Sequence, residues 1–346
     1  MITQIRETCL PAGRGLHRLN LLPIVISFSI ILFSTGCGEI TYPKEKLGES
    51  LIKICKDEYN IDVDARIIGK TLAIYLPITN LFDITLNISE TAWDKVSDVL
   101  LGARRITLST DAEIEFYCVI AQDVRLPEIQ LVIVNYVEDA KRVLVSDISR
   151  GEYFKRTLVD INENPQAKKE QAIIDVFGKM ELEKEWQDRI LEDFFRSPPS
   201  SLEGMGYWQK EFYIKDITLE EFLAQQMARR IKTRFREKED LKKYTLKSVN
   251  GNFEAKDGLK TFLVSFNAES ILFIIDAAET FLAEKEIFAN AFEEMSDVIY
   301  GYKFKDFDLA GLTEKSTNRK LLVSKEDLYL FKKRKLGIDV ILGGFK

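Results

Sequence analysis

TAWDKVSDVLLG at residues 91–102 and NAFEEMSDVIYG at residues 290–301 align without gaps, share five identities and keep apolar residues at matching positions. Upstream of the first lies KTLAI at 70–74, and upstream of the second KTFLV at 260–264. Downstream, KRVLVSDISRGEYFKR at 141–156 aligns to RKLLVSKEDLYLFKKR at 319–334, again with five identities. The three matches keep one chain order while their offsets are 199, 190 and 178. That combination implies an old duplication, with length differences taken up in the loops between elements.

Hydrophobic periodicity fills in the first copy. Leu47, Leu51, Cys55 and Tyr59 recur every four residues and predict a helix over 46–59. A strand pair follows over 62–68 and 70–78, hinged at Gly69 and stopped by Pro77. Trp93, Val96, Leu100 and Ala103 define a second helix over about 90–105. Ile114, Phe116, Cys118 and Ile120 then alternate with polar neighbours along a strand, and 129–136 reads as another. Two charged, aromatic-rich helices over 165–178 and 181–196 separate the copies. The second copy begins with a strand over 207–214 and a helix from Thr218, where Thr218 and Glu221 form a capping box. Leu219, Leu223, Met227, Ile231 and Phe235 make that helix's core-facing stripe. The expected class is α+β: two tandem, duplicated domains of antiparallel sheet with packed helices. The boundaries are 46–160 for the first domain, 161–205 for a helical connector and 206–346 for the second domain.

Residues 21–34 are an uncharged apolar run of 14, preceded by Arg6, Arg14 and Arg18. This is shorter than the about 20 residues of a membrane span and reads as the core of a secretory leader. The segment that follows, Ser34-Thr35-Gly36-Cys37, resembles the lipobox of bacterial lipoproteins, with Ser34 where leucine is usual. The resemblance implies cleavage after residue 36 and a diacylglycerol thioether on Cys37. Acyl chains at about 0.8 kcal/mol per buried CH₂ would hold such a protein on membrane lipid. Gly38, in place of the aspartate that retains enterobacterial lipoproteins at the inner membrane, implies the outer membrane where one exists. Residues 37–45 form a tether, which reaches no more than about 30 Å at about 3.5 Å per residue.

Removing the leader takes Arg6, Arg14, Arg18 and Glu7, which leaves 46 basic and 54 acidic side chains, net −8. An acidic chain is a poor match for nucleic-acid phosphates. The single histidine, His17, goes with the leader, so a His-dependent triad or a His-ligated metal site is not expected. No cofactor is expected. Gly69-Lys70-Thr71 ends like a phosphate-binding loop, but Asp64 stands where the motif needs its first glycine, and no nucleotide is expected.

Cys55 and Cys118 fall on core-facing positions and read equally as a disulfide or as two buried thiols. The carboxylate pairs Asp62/Asp64, Glu113/Glu115 and Asp306/Asp308 share strand faces, either as solvated surface or as acid/base groups. Arg229, Arg230, Lys232, Arg234 and Arg236, with Lys238, Lys242 and Lys243, form a basic stretch. It reads as a solvated helix face or as a contact for an anionic lipid surface or envelope polymer. Together these features describe a lipid-anchored protein of the bacterial cell envelope. It would be a non-enzymatic binding or assembly module, with an envelope protein or anionic polymer as partner. The alternative is an extracytoplasmic hydrolase of carbohydrate or peptide, working through carboxylates or a Ser–Lys dyad.

Overall fold

A computed structural model of the chain describes residues 42–343 apart from 84, 86, 181–182, 196–197, 271–276 and 317. The leader and Cys37 lie outside the described residues. The first repeat runs α1 (Leu47–Tyr59), β1 (Asp64–Ile68), β2 (Thr71–Ile78), α2 (Glu90–Thr107), β3 (Phe116–Asp123), β4 (Leu126–Tyr136), α3 (Val137–Leu144) and α4 (Arg150–Arg156), then β5 (Leu158–Glu163). Between the repeats come α5 (Pro165–Met180), α6 (Lys184–Phe195) and the short strands β6 (Gly206–Trp208) and β7 (Glu211–Tyr213). The second repeat is α7 (Leu219–Glu237), β8 (Tyr244–Lys256), β9 (Leu259–Ser270), α8 (Ala277–Gly301), β10 (Leu309–Glu314), β11 (Arg319–Ser324), α9 (Lys325–Lys332) and α10 (Ile338–Gly343).

The two repeats share an element order and a strand order. Sheet 1 is β1-β2-β3-β4-β5 and sheet 2 is β8-β9-β10-β11, and in each the second and third strands are parallel while their outer neighbours are antiparallel. The sheets are therefore mixed rather than purely antiparallel. The helix between two hairpins acts as a crossover, and a crossover returns the chain parallel to the strand it left. Registers coincide as well: Thr71 stands opposite Phe116, and Thr261 opposite Leu309. The Glu115 amide donates to Lys70 O at 2.9 Å, and the Asp308 amide to Lys260 O at 2.8 Å.

The matched segments 91–102 and 290–301 lie in the equivalent helices α2 and α8, with Ala92, Val96 and Val99 buried like Ala291, Met295 and Val298. The downstream match does not hold. Residues 141–144 end helix α3, whereas 319–324 are strand β11. The structural counterpart of α3 is α9. Both helices end in a left-handed residue, Ser146 (φ 59°) and Arg334 (φ 56°). In both, the next amide returns to the helix: Asp147 to Arg142 O at 2.8 Å, and Lys335 to Leu330 O at 2.9 Å. Geometry has outlasted sequence at this cap.

Local signals position the helices. Ser89, Ser149, Thr218 and Ser324 each accept a hydrogen bond from the amide three residues on and satisfy a donor that the first turn leaves open. Pro77 does not stop β2 but lies within it, and 207–214 is a two-strand hairpin rather than one strand.

The repeats form one compact unit from Tyr42 onward. One face of sheet 1 packs on α1 and α2 through Leu72, Ile74, Val119 and Ile133. Its other face, with Ala73, Cys118, Ile120 and Val134, shares a core with Phe222, Met227, Phe262 and Phe292 of the second repeat. Helix α7 is thus enclosed between two sheets. The outer face of sheet 2 carries the exposed Asn252 and Leu322. The β6–β7 hairpin belongs by its contacts to the first repeat. Gln130 Nε2 donates to Met205 O at 2.8 Å, Asn164 Nδ2 to Tyr207 O at 3.0 Å, and the Tyr75 and Tyr207 rings stack at 3.6 Å.

Candidate functional site

Enclosure gives α7 two working faces. The expected stripe of Leu223, Met227, Ile231 and Phe235 is buried, with Leu219 partly so. A second line, Phe222, Gln226 and Arg229, runs at i, i+4, i+7 toward the first repeat. Phe222 meets the Phe116 ring at 5.2 Å, Gln226 donates to Arg156 O, and Arg229 NH1 donates to Thr157 O at 2.7 Å. Packing along this line is incomplete, and a cleft of about 440 Å³ remains between β4–β5, α7 and β8. Leu202 and Val249 form apolar wall above the buried Val134, Leu158 and Met205, Asn162 and Asn250 are polar lining, and Arg229 supplies a guanidinium. Burial lowers the pKa of Arg229, with the charge of Asp160 acting against that shift. The sequence marks Arg229 only as one of a basic run; the Phe222-Gln226-Arg229 spacing is the signal that distinguishes it.

A second, open groove of about 840 Å³, which Arg229 also lines, borders α4, α7 and α8. Most of its charges are engaged. Arg230 pairs with Glu152 at 3.2 Å, and Arg234 holds Glu294 at 2.7 Å, Glu293 and the Asn290 side chain. Of the basic stretch, Lys232, Arg236, Lys238 and Lys242 are exposed, with Arg236 3.6 Å from Glu237 and Lys242 2.5 Å from Glu239. The stretch is therefore not a uniform solvated face. Three of its eight cations, Arg229, Arg230 and Arg234, tie α7 to its neighbours.

Deeper lies a cluster that joins the repeats. Arg156, nearly inaccessible, donates to Asp139 at 2.9 Å, to Glu152 at 2.8 Å and to Gly301 O at 3.2 Å, and its guanidinium covers the Tyr302 ring at 4.4 Å. Two cations of the first repeat, Arg142 and Arg156, thus meet the C-terminal carbonyl of α8, the negative end of that helix. Burial raises the pKa of Asp139 against the pull of Arg156, and it raises Tyr302 strongly.

The carboxylate pairs do not converge. Glu115 takes Lys70 at 2.5 Å with Glu113 at 3.9 Å, and in the second repeat Asp306, the counterpart of Glu113, takes Lys260 at 2.5 Å. Asp62 binds Lys56 at 2.6 Å, and Asp64 accepts from the Tyr207 hydroxyl at 3.3 Å. The Gly69-Lys70-Thr71 turn holds an internal anion. Lys70 N donates to Asp216 Oδ1 at 2.8 Å, and a Cβ on Gly69, whose φ is +58°, would fall 2.1 Å from the Asp216 carboxyl carbon. Among the described residues, no three His, Cys, Asp or Glu side chains are placed to hold a metal ion.

Cys55 and Cys118 are free and buried, in cores on opposite faces of sheet 1, so the disulfide reading is corrected to two separate thiols. Burial raises Cys55 from 9.0 to about 11 and Cys118 from 9.0 to about 12. Both are expected to resist a thiol reagent at pH 8 until the chain is denatured, and prompt reaction of either in the folded protein would contradict this placement. Because each folded pKa exceeds the unfolded one, their effect on stability is constant below about pH 9. It turns destabilising as pH climbs from there toward 11–12, where the unfolded chain ionises first.

The helix pair α5–α6 exposes several large apolar side chains. Among the described side chains of α5 only Gln166, Ala167 and Phe177 are buried, while Ile174, Val176 and Met180, with Trp186 and Ile190 of α6, are 40–61% exposed. No helix among the described residues is long and apolar enough to cross a membrane. No family model, curated protein or solved structure matches the chain.

Proposed function

We propose that the protein is an envelope lipoprotein, anchored through Cys37, whose folded part is a binding or assembly module rather than an enzyme. The observation that carries the binding reading is the concentration of exposed large apolar side chains on α5–α6, because exposed apolar surface on a polar protein characterises docking sites. The carboxylates that a hydrolase would use are engaged with lysines in separate places, which favours the binder. The exposed Lys232, Arg236, Lys238 and Lys242 add at most about 1 kcal/mol each near an anionic surface, so lasting membrane attachment rests on the lipid.

Two experiments test the reading. Cys37→Ser is expected to abolish palmitate labelling and to shift the protein out of the lipid-modified membrane fraction; unchanged labelling would refute the anchor. A photo-crosslinking residue at position 186 is expected to capture a discrete partner in cells, while the same residue at Val145, exposed on the first repeat, captures none. Equal capture at both positions would remove the docking face.

A further inference from the structure

We infer that the cleft between the repeats is a binding site for a small organic acid, with its carboxylate on Arg229 and its apolar body along Leu202 and Val249, over a floor of Val134, Leu158 and Met205. Three observations converge on it. The cleft measures about 440 Å³, within the range of small-molecule sites. Its apolar lining comes from both repeats and the inter-repeat segment, while Arg229 comes from the second repeat, so the site exists only where the repeats meet. Arg229, alone among the three arginines that tie α7 to its neighbours, is held by a carbonyl, Thr157 O, rather than by a carboxylate. A guanidinium has five donors in a planar fork that matches a carboxylate in bidentate geometry.

The neighbouring charges leave this role to Arg229. Lys247 is held by Glu269 at 2.5 Å, and Lys232 stands at the exposed rim. Asp160 and Glu203 also line the cleft. Their charge disfavours polyanions and selects a ligand with a single negative group. Half-burial of the guanidinium strengthens its attraction for such a group over what water allows.

The probe is 4-phenylbutyrate, added to the full chain in detergent and measured by equilibrium dialysis against empty micelles. Saturable uptake of one molecule per chain is expected, with 4-phenylbutanol bound at least about tenfold more weakly and acetate not retained. Arg229→Gln should weaken uptake by at least about tenfold, the loss of one charge-assisted pair. Asn162→Trp, which fills the cleft from edge strand β5 without touching Arg229, should block it and keeps the test valid if Arg229→Gln misfolds. No saturable uptake, equal uptake of acid and alcohol, or undiminished uptake by both variants would overturn the proposal.

Discussion

Replacing Arg156 with alanine is expected to cost about 3–5 kcal/mol of folding stability, the range for breaking one side of a buried ion pair. Arg156 meets Asp139, Glu152, Gly301 O and the Tyr302 ring at once, and its removal leaves the Asp139 carboxylate buried with only Arg142, at 3.7 Å, as counter-charge. Denaturant titration reads the loss. Arg156→Met with Asp139→Leu should recover part of it, since a packed apolar pair avoids the desolvation that the charges carry. Burial raises the folded pKa of Asp139, so its carboxylate opposes folding increasingly as pH rises past the ordinary value. Arg156→Ala should be less damaging at acid pH, where Asp139 is neutral, and a cost below about 1 kcal/mol at neutral pH would show that the cluster does not bind the repeats together.

Gly251→Ala is the second change with a large expected effect. Strand β8 passes α7 so closely that a Cβ on Gly251 would sit 1.9 Å from Ala224 O and 2.4 Å from Ala224 C. Both are helix backbone, which has no rotamer to yield, so the helix must move off the strand and open the core around Phe222 and Met227. Overpacking of this kind costs about 3 kcal/mol or more. Gly178→Ala, in α5 where nothing lies within 4 Å, should instead stabilise by up to about 1 kcal/mol through helix propensity. Similar midpoints for the two variants would contradict the close approach of α7 and β8.

The architecture was largely legible because helix periodicity and capping are local properties. Leu47, Leu51 and Cys55 marked α1, Thr218 and Glu221 marked the start of α7, and the shared Ser-Asp-Val of α2 and α8 identified the repeats. The downstream match misled because Leu-Val-Ser closes a helix and its turn in one repeat and lies in a strand of the other. So short a segment takes the structure of its surroundings, and pairing with β10 decided the second.

By itself the sequence determined the helices, most of the strands and the duplication, since each is written in spacings of a few residues. The tertiary structure alone decided that the repeats share a core and that β2–β3 and β9–β10 run parallel. It also decided which arginines of the basic run tie helices together and that Arg229 stands in a cleft. The reason is geometric. A lone helix on a sheet has one buried face and its polar residues meet water, but α7 lies between two sheets, so residues opposite its apolar stripe are buried against a segment more than 60 positions away in sequence. No local pattern records such a neighbour, and the polarity that reads as solvent exposure in the sequence becomes the ion pairs and the cleft of the folded protein.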